Sequence, residues 1–142
     1  MLTARGATQI ARPISDVFDF LADMRNEPSW LPGAADVRLQ TPEPIGMGTS
    51  FTGAYARAGT VSCVLTHYER PDRLVIHGEA KGMVFDDEIR LAEVDGITQL
   101  TAEMRTVPRG IFTLVAPMMG RVITRQFQSN WDSLRTVLEA TG

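Results

Sequence analysis

The sequence predicts an α+β domain in which a curved antiparallel sheet of six to seven strands wraps around one long C-terminal helix, with two short helices after the first strand. Three observations predict it. Between Ala35 and Thr106 apolar and polar residues alternate, the period of half-buried strands. The breaks in that stretch are short and rich in Gly, Pro and Asp, so consecutive strands must be antiparallel neighbours, because parallel ones need long crossovers. After Pro108-Arg109-Gly110 the period becomes that of a helix.

Residues 3–10 read as the first strand. Pro13 then opens a short helix in which Ile14, Val17, Phe18 and Leu21 recur at helical spacing. A second short helix or turn is expected over 26–31, its length limited by Pro28 and Pro32 on either side of Trp30. Strands follow at 36–40, 49–56, 60–69, 73–79, 83–93 and 98–106. Asp95-Gly96 marks a tight hairpin that needs positive φ. Met119, Val122, Ile123, Phe127, Trp131, Leu134, Val137 and Leu138 then form one apolar stripe. A helix over 118–140 would be roughly 35 Å long. Pro117 either starts it or lies inside a longer helix that begins near Ile111.

Composition narrows the function. A chain of 142 residues suits one domain spanning 1–142 and buries enough surface to need no staple. Its net charge of −3 comes with no Lys/Arg run, which argues against a nucleic-acid partner and a polybasic membrane anchor. No apolar run approaches the ~20 residues of a bilayer span, so no integral membrane segment is expected. The N-terminal residues lack the apolar core of a secretory signal, and the lone Cys63 excludes an internal disulfide. A cytoplasmic protein is expected. With only His67, His77 and Cys63 as soft ligands, neither a metal site nor a cofactor is expected.

Several segments, taken in order, resemble the polyketide cyclase/dehydrase branch of the START-like (SRPBCC, Bet v 1-like) superfamily. They are Ala11-Arg12-Pro13 with Val17-Phe18 and Leu21-Ala22-Asp23, then Pro28-Ser29-Trp30-Leu31-Pro32. Gly46-Met47-Gly48-Thr49, Tyr68-Glu69-Arg70-Pro71-Asp72-Arg73-Leu74 and Gly96-Ile97-Thr98 follow. The resemblance covers nearly the whole chain. It implies a helix-grip fold with a ligand tunnel between sheet and helix, and no shared catalytic motif.

Strand parity and helical phase give the expected lining. Phe85, Asp87 and Ile89 share the inward face of their strand, with Asp86, Glu88 and Arg90 outside. Asp87 has two readings: a hydrated or Arg-paired carboxylate near the open end, and a pocket carboxylate with a raised pKa, able to act as acid or base. Met104 follows Leu100 and Ala102 inward; Phe51, Gly53 and Tyr55 share a face, as do Val61, Cys63, Leu65 and His67. Ile76 faces in with Leu74, which leaves His77 at the surface or rim. On the helix, Met119, Ile123 and Phe127 face the pocket. Gln126 and Asn130 fall near the stripe's centre, either as a structural hydrogen bond to a strand or loop, or as amides that orient a ligand. The resemblance puts Trp30 near the narrow end, in a packing role or stacked on a ligand; Trp131 is expected at the edge of the stripe, and Cys63 as a small buried apolar residue. The apolar residues of 111–119 are either a lid or a dimer contact.

Three functions remain open. The first is binding, as carrier or sensor, of a small hydrophobic or amphipathic molecule such as a lipid or polyketide. The second is a cofactor-independent cyclase, aromatase or dehydratase with Asp87 and Tyr55 as acid–base residues. The third is a protein-interaction domain with a vestigial pocket.

Overall fold

In a computed structural model, which describes residues 1–141, the chain begins with β1 (Leu2–Ile10) and α1 (Ile14–Ala22). A 3-10 turn (Met24–Asn26) leads into the one-turn helix α2 (Glu27–Trp30). Six strands follow: β2 (Ala34–Leu39), β3 (Ser50–Tyr55), β4 (Gly59–Glu69), β5 (Arg73–Glu79), β6 (Met83–Val94) and β7 (Ile97–Pro108). The last element is α3 (Phe112–Ala140). The seven strands make one sheet in the order β1-β7-β6-β5-β4-β3-β2, every pair antiparallel. The expected α+β class, the strand count and the long final helix are therefore those observed.

The turn chemistry holds where it was specific. Asp95 and Gly96 take φ of 51° and 78° and close the β6–β7 hairpin, with Val94 opposite Ile97. Arg57 and Gly59 take φ of 72° and 76° between β3 and β4. Of the two readings of Pro117, the second is correct: it lies inside α3, which starts at Phe112 rather than at Met118.

One strand departs from simple alternation. β4 carries a bulge between Leu65 and His67, where its pairing with β5 shifts by one residue. Val61, Cys63 and Leu65 face inward, but His67 is turned out and does not share their face. Beyond the bulge Tyr68 packs edge-on against Phe18 of α1, with ring centroids 5.1 Å apart.

α3 lies across the inner face and is fastened near β1. Gln128 donates to the Ala7 carbonyl at 2.9 Å and accepts from the Ala7 amide at 3.0 Å, so it occupies backbone groups of an edge strand. Trp131 is only 2 % exposed and sits over Gly6, where a Cβ would come within 2.6 Å of its ring. The sequence placed Trp131 at the edge of the apolar stripe; it is at the centre, with Phe127, Leu134 and Leu138. α2 is tied to the same helix: Ser133 Oγ donates to the Trp30 carbonyl at 2.5 Å, and the Trp30 ring stacks on Trp131 at 5.6 Å.

Candidate functional site

Val17, Phe18 and Leu21 of α1 belong to one apolar core with Leu74, Ile89 and Leu100 of the sheet. Elsewhere, between the sheet, α2 and α3, a cavity of about 440 Å³ remains. Of the residues expected in its lining, Trp30, Tyr55, Cys63, Ile76, Phe85, Asp87, Met104, Gln126, Phe127 and Asn130 all stand in the wall. Phe51, Leu65 and Ile89 face inward too but are packed shut in the core and do not reach the cavity. Met119 and Ile123 are half-buried on α3 and also lie outside the lining.

Asp87 sits on the inner face of β6, opposite Ile76 of β5 and Met104 of β7. It is half-buried and lines the cavity. Its Oδ1 is out of reach of solvent and, among the described residues, has no hydrogen-bond partner. Burial raises its pKa to about 8, helped by the charge of Glu27. Among the described residues no Arg pairs with Asp87, so the Arg-paired reading does not hold.

Glu27 is the residue that sequence reasoning missed. It opens α2, is 8 % exposed and lines the same cavity. The Tyr55 hydroxyl donates to its Oε1 in a close contact. Burial lifts the Glu27 pKa to about 7, against the opposing effect of that hydrogen bond. Tyr55 reaches it because Gly53, two residues earlier on the same face, leaves room: a Cβ there would meet the Tyr55 ring at 2.8 Å. Burial also pushes the Tyr55 hydroxyl well above its ordinary pKa, with the Glu27 charge adding to the shift. No periodicity marks Glu27, and its partner is 28 residues away. The only sequence signal is a charged residue three positions before Trp30, in a segment expected near the narrow end.

The remaining polar lining is weaker chemically. Burial raises the Cys63 thiol to about 12, helped by the charges of Glu27 and Asp87, so it is a neutral wall group rather than a nucleophile. Gln126 and Asn130 stand at the mouth; Gln126 is exposed and donates to Asn130 Oδ1 at 3.0 Å. They bond each other, not a strand, and lie beside the buried stripe rather than at its centre. His77 is on the outer face, its Nδ1 2.9 Å from Asp86 Oδ1. Among the described residues no three His, Cys, Asp or Glu side chains are grouped to hold a metal ion. Arg57, exposed in the β3–β4 turn, is among the described residues the only Lys, Arg or His in the lining.

A family of proteins described as polyketide cyclase / dehydrase and lipid transport matches residues 1–139. The chain belongs to that family. No curated protein matches the sequence. Solved structures share the fold at low identity. TTHA0849 from Thermus thermophilus is 12 % identical, with a TM-score of 0.79 and 99 % of both chains covered. A START superfamily protein from Mycobacterium smegmatis is 9 % identical, with a TM-score of 0.78 and again 99 % of both chains covered. DynU16, from the dynemicin biosynthetic locus, is 18 % identical with a TM-score of 0.72; the match takes in 98 % of this chain and 48 % of that one. Among the described residues no helix is long and apolar enough to cross a membrane.

The family therefore supplies a ligand-binding or cyclase role in general terms. Within that frame, the two buried carboxyls are the acidic groups of this cavity. An apolar wall with a few polar groups orients a ligand. A carboxyl that stays neutral near pH 7 can both donate and accept a hydrogen bond.

Proposed function

We propose that the protein binds one small, largely apolar molecule in the cavity and that Asp87 receives its hydrogen-bonding group, with Glu27 and Tyr55 alongside. The observation that carries this reading is the Asp87 carboxyl in the cavity wall, one of whose oxygens, Oδ1, lacks a hydrogen-bond partner among the described residues, so that the group has bonding capacity left to offer. A buried polar atom without a partner costs about 1–3 kcal/mol, which a ligand hydroxyl or amine would relieve. The volume supports a working site over a vestigial one, since ligand pockets typically span about 300–1,000 Å³.

The charges favour one kind of ligand. The wall carries two carboxyls, and its one cation, Arg57, is exposed. Alcohols and amines suit such a wall; a carboxylate would set a third acid against it with no buried cation. Isothermal calorimetry near neutral pH with decan-1-ol, decylamine and decanoate tests this. The alcohol and the amine should bind, and decanoate about ten-fold more weakly or worse, as expected for ~1.4 kcal/mol or more of lost interaction. Asp87→Leu should remove that discrimination while leaving an apolar cavity. Tightest binding by decanoate, or discrimination unchanged in Asp87→Leu, would count against the proposal.

Acid–base catalysis is the second reading, favoured by two cavity carboxyls that titrate near neutrality. The discriminating outcome is chemical. A poly-β-ketoacyl probe recovered unaltered from the protein supports binding alone, and one recovered as its aldol-cyclised product, with or without loss of the new hydroxyl as water, supports catalysis.

A further inference from the structure

The N-terminal half of α3 presents an apolar face that nothing among the described residues covers. Ile111, Leu114 and Met118 are 76, 80 and 82 % exposed, with Val115 and Val122 beside them. At about 100° per residue, the five fall within an arc of about 100°. That arc points away from the one formed by Phe127, Trp131, Leu134 and Leu138, which packs on the sheet. Large apolar side chains gathered on an outward face mark an interaction surface.

The charge around this face is of one sign. From residue 104 to residue 131 the chain has four arginines and no acidic residue, although its net charge is −3. Arg105 and Arg109 are paired, with Glu103 at 2.9 Å and Glu79 at 3.4 Å. Arg121 borders the apolar arc, Arg125 continues it beyond Val122, and neither has an ion-pair partner among the described residues.

We infer that this face of α3 docks the protein onto an anionic lipid surface. Apolar side chains of an amphipathic helix enter the boundary between headgroups and acyl chains, and flanking guanidinium groups pair with lipid phosphates. A second copy fits less well. A symmetric contact through this face would bring four unneutralised guanidinium groups together, with no carboxylate in the segment to meet them. Gln126 and Asn130, at the mouth of the cavity, follow the stripe on the same helix, so docking here sets the mouth beside the lipid. The inference stands on exposure and charge, and holds whether or not the cavity ligand is of the class proposed above.

Vesicle flotation of the full chain tests it. Vesicles of phosphatidylcholine alone are compared with vesicles holding about 30 mol % phosphatidylglycerol. At low salt the anionic vesicles should carry at least about ten-fold more protein, and roughly 0.5 M salt should remove most of that excess. The double variant Leu114→Asp/Met118→Asp should bind neither vesicle, and Arg121→Glu/Arg125→Glu should fall to the phosphatidylcholine level. All four positions are on the open face of the helix, so circular dichroism and thermal melting should match the parent. Equal binding to both vesicles would overturn the inference. So would anionic binding that survives both double variants, or a dimer in size-exclusion chromatography that Leu114→Asp/Met118→Asp dissolves.

Discussion

The protein should lose several kcal/mol of stability as pH rises from about 5 to about 9, and Asp87→Asn should remove the larger part of that loss. Asp87 and Glu27 hold their protons more tightly folded than unfolded, with pKa values near 8 and 7 against ordinary values of 3.8 and 4.5. Between the ordinary and the raised values the native state carries more protons than the unfolded chain, so stability falls with rising pH. The contribution is complete below the unfolded pKa values and gone above about pH 8. At 1.36 kcal/mol per pKa unit, the two groups together account for a change on the order of 5 kcal/mol over this window.

The acid side is bounded by groups of opposite sign. The side-chain hydrogen bonds of Arg70 and Arg73 hold Asp19 and Glu88 below the usual carboxylate range, and their smaller contribution is lost as pH falls. Maximum stability near pH 5 follows. Urea titrations at several pH values would measure it. At pH 5 Asp87→Asn should lie within about 1 kcal/mol of the parent, and at pH 9 it should be more stable by several kcal/mol. Parallel pH profiles for parent and variant would show that Asp87 is not a buried neutral carboxyl.

Trp131→Ala should be the most damaging single truncation, at about 3–5 kcal/mol. Trp131 is the point where three elements meet. It stacks on Trp30 of α2, packs edge-on to Phe127 at 5.5 Å, and lies against Gly6 of β1. For a chain of this size the loss corresponds to a melting temperature lower by roughly 10 °C or more. Trp131→Phe should cost distinctly less, because the indole Nε1 has no hydrogen-bond partner among the described residues to forfeit. Removing Trp131 also loosens α2, and with it Glu27, so the Glu27 carboxyl should titrate closer to its ordinary range in Trp131→Ala. A small effect on stability would mean that α3 is held mainly through Gln128 and its more C-terminal apolar residues.

The contrast between Asp87 and Glu27 shows where sequence reasoning reaches and where it stops. β6 pairs without a bulge along its whole length, so alternation from Phe85 to Ile89 places Asp87 inward. Glu27 sits in a single helical turn with no period of its own, and its burial depends on Tyr55 and on the docking of α2 to α3. The β4 bulge was equally silent: one extra residue turned His67 out and Tyr68 in without leaving a break in the pattern. The phase of α3 was misread for a different reason. Its two halves carry apolar faces that point in different directions, and a single stripe fitted to both is drawn toward Gln126 and Asn130. The same averaging hid the exposure of Val122 and set Trp131 at the margin.

The most direct measurement is the carbon-13 shift of the Asp87 side-chain carboxyl against pH, first in the free protein and then with decylamine at saturation. In the free protein the midpoint should lie near 8. With the amine bound it should fall, because a cation beside the carboxyl favours its ionised form. The exposed carboxyls should not respond to the amine. A midpoint in the ordinary carboxylate range, unmoved by the ligand, would contradict the placement of Asp87 as the polar contact of an otherwise apolar cavity.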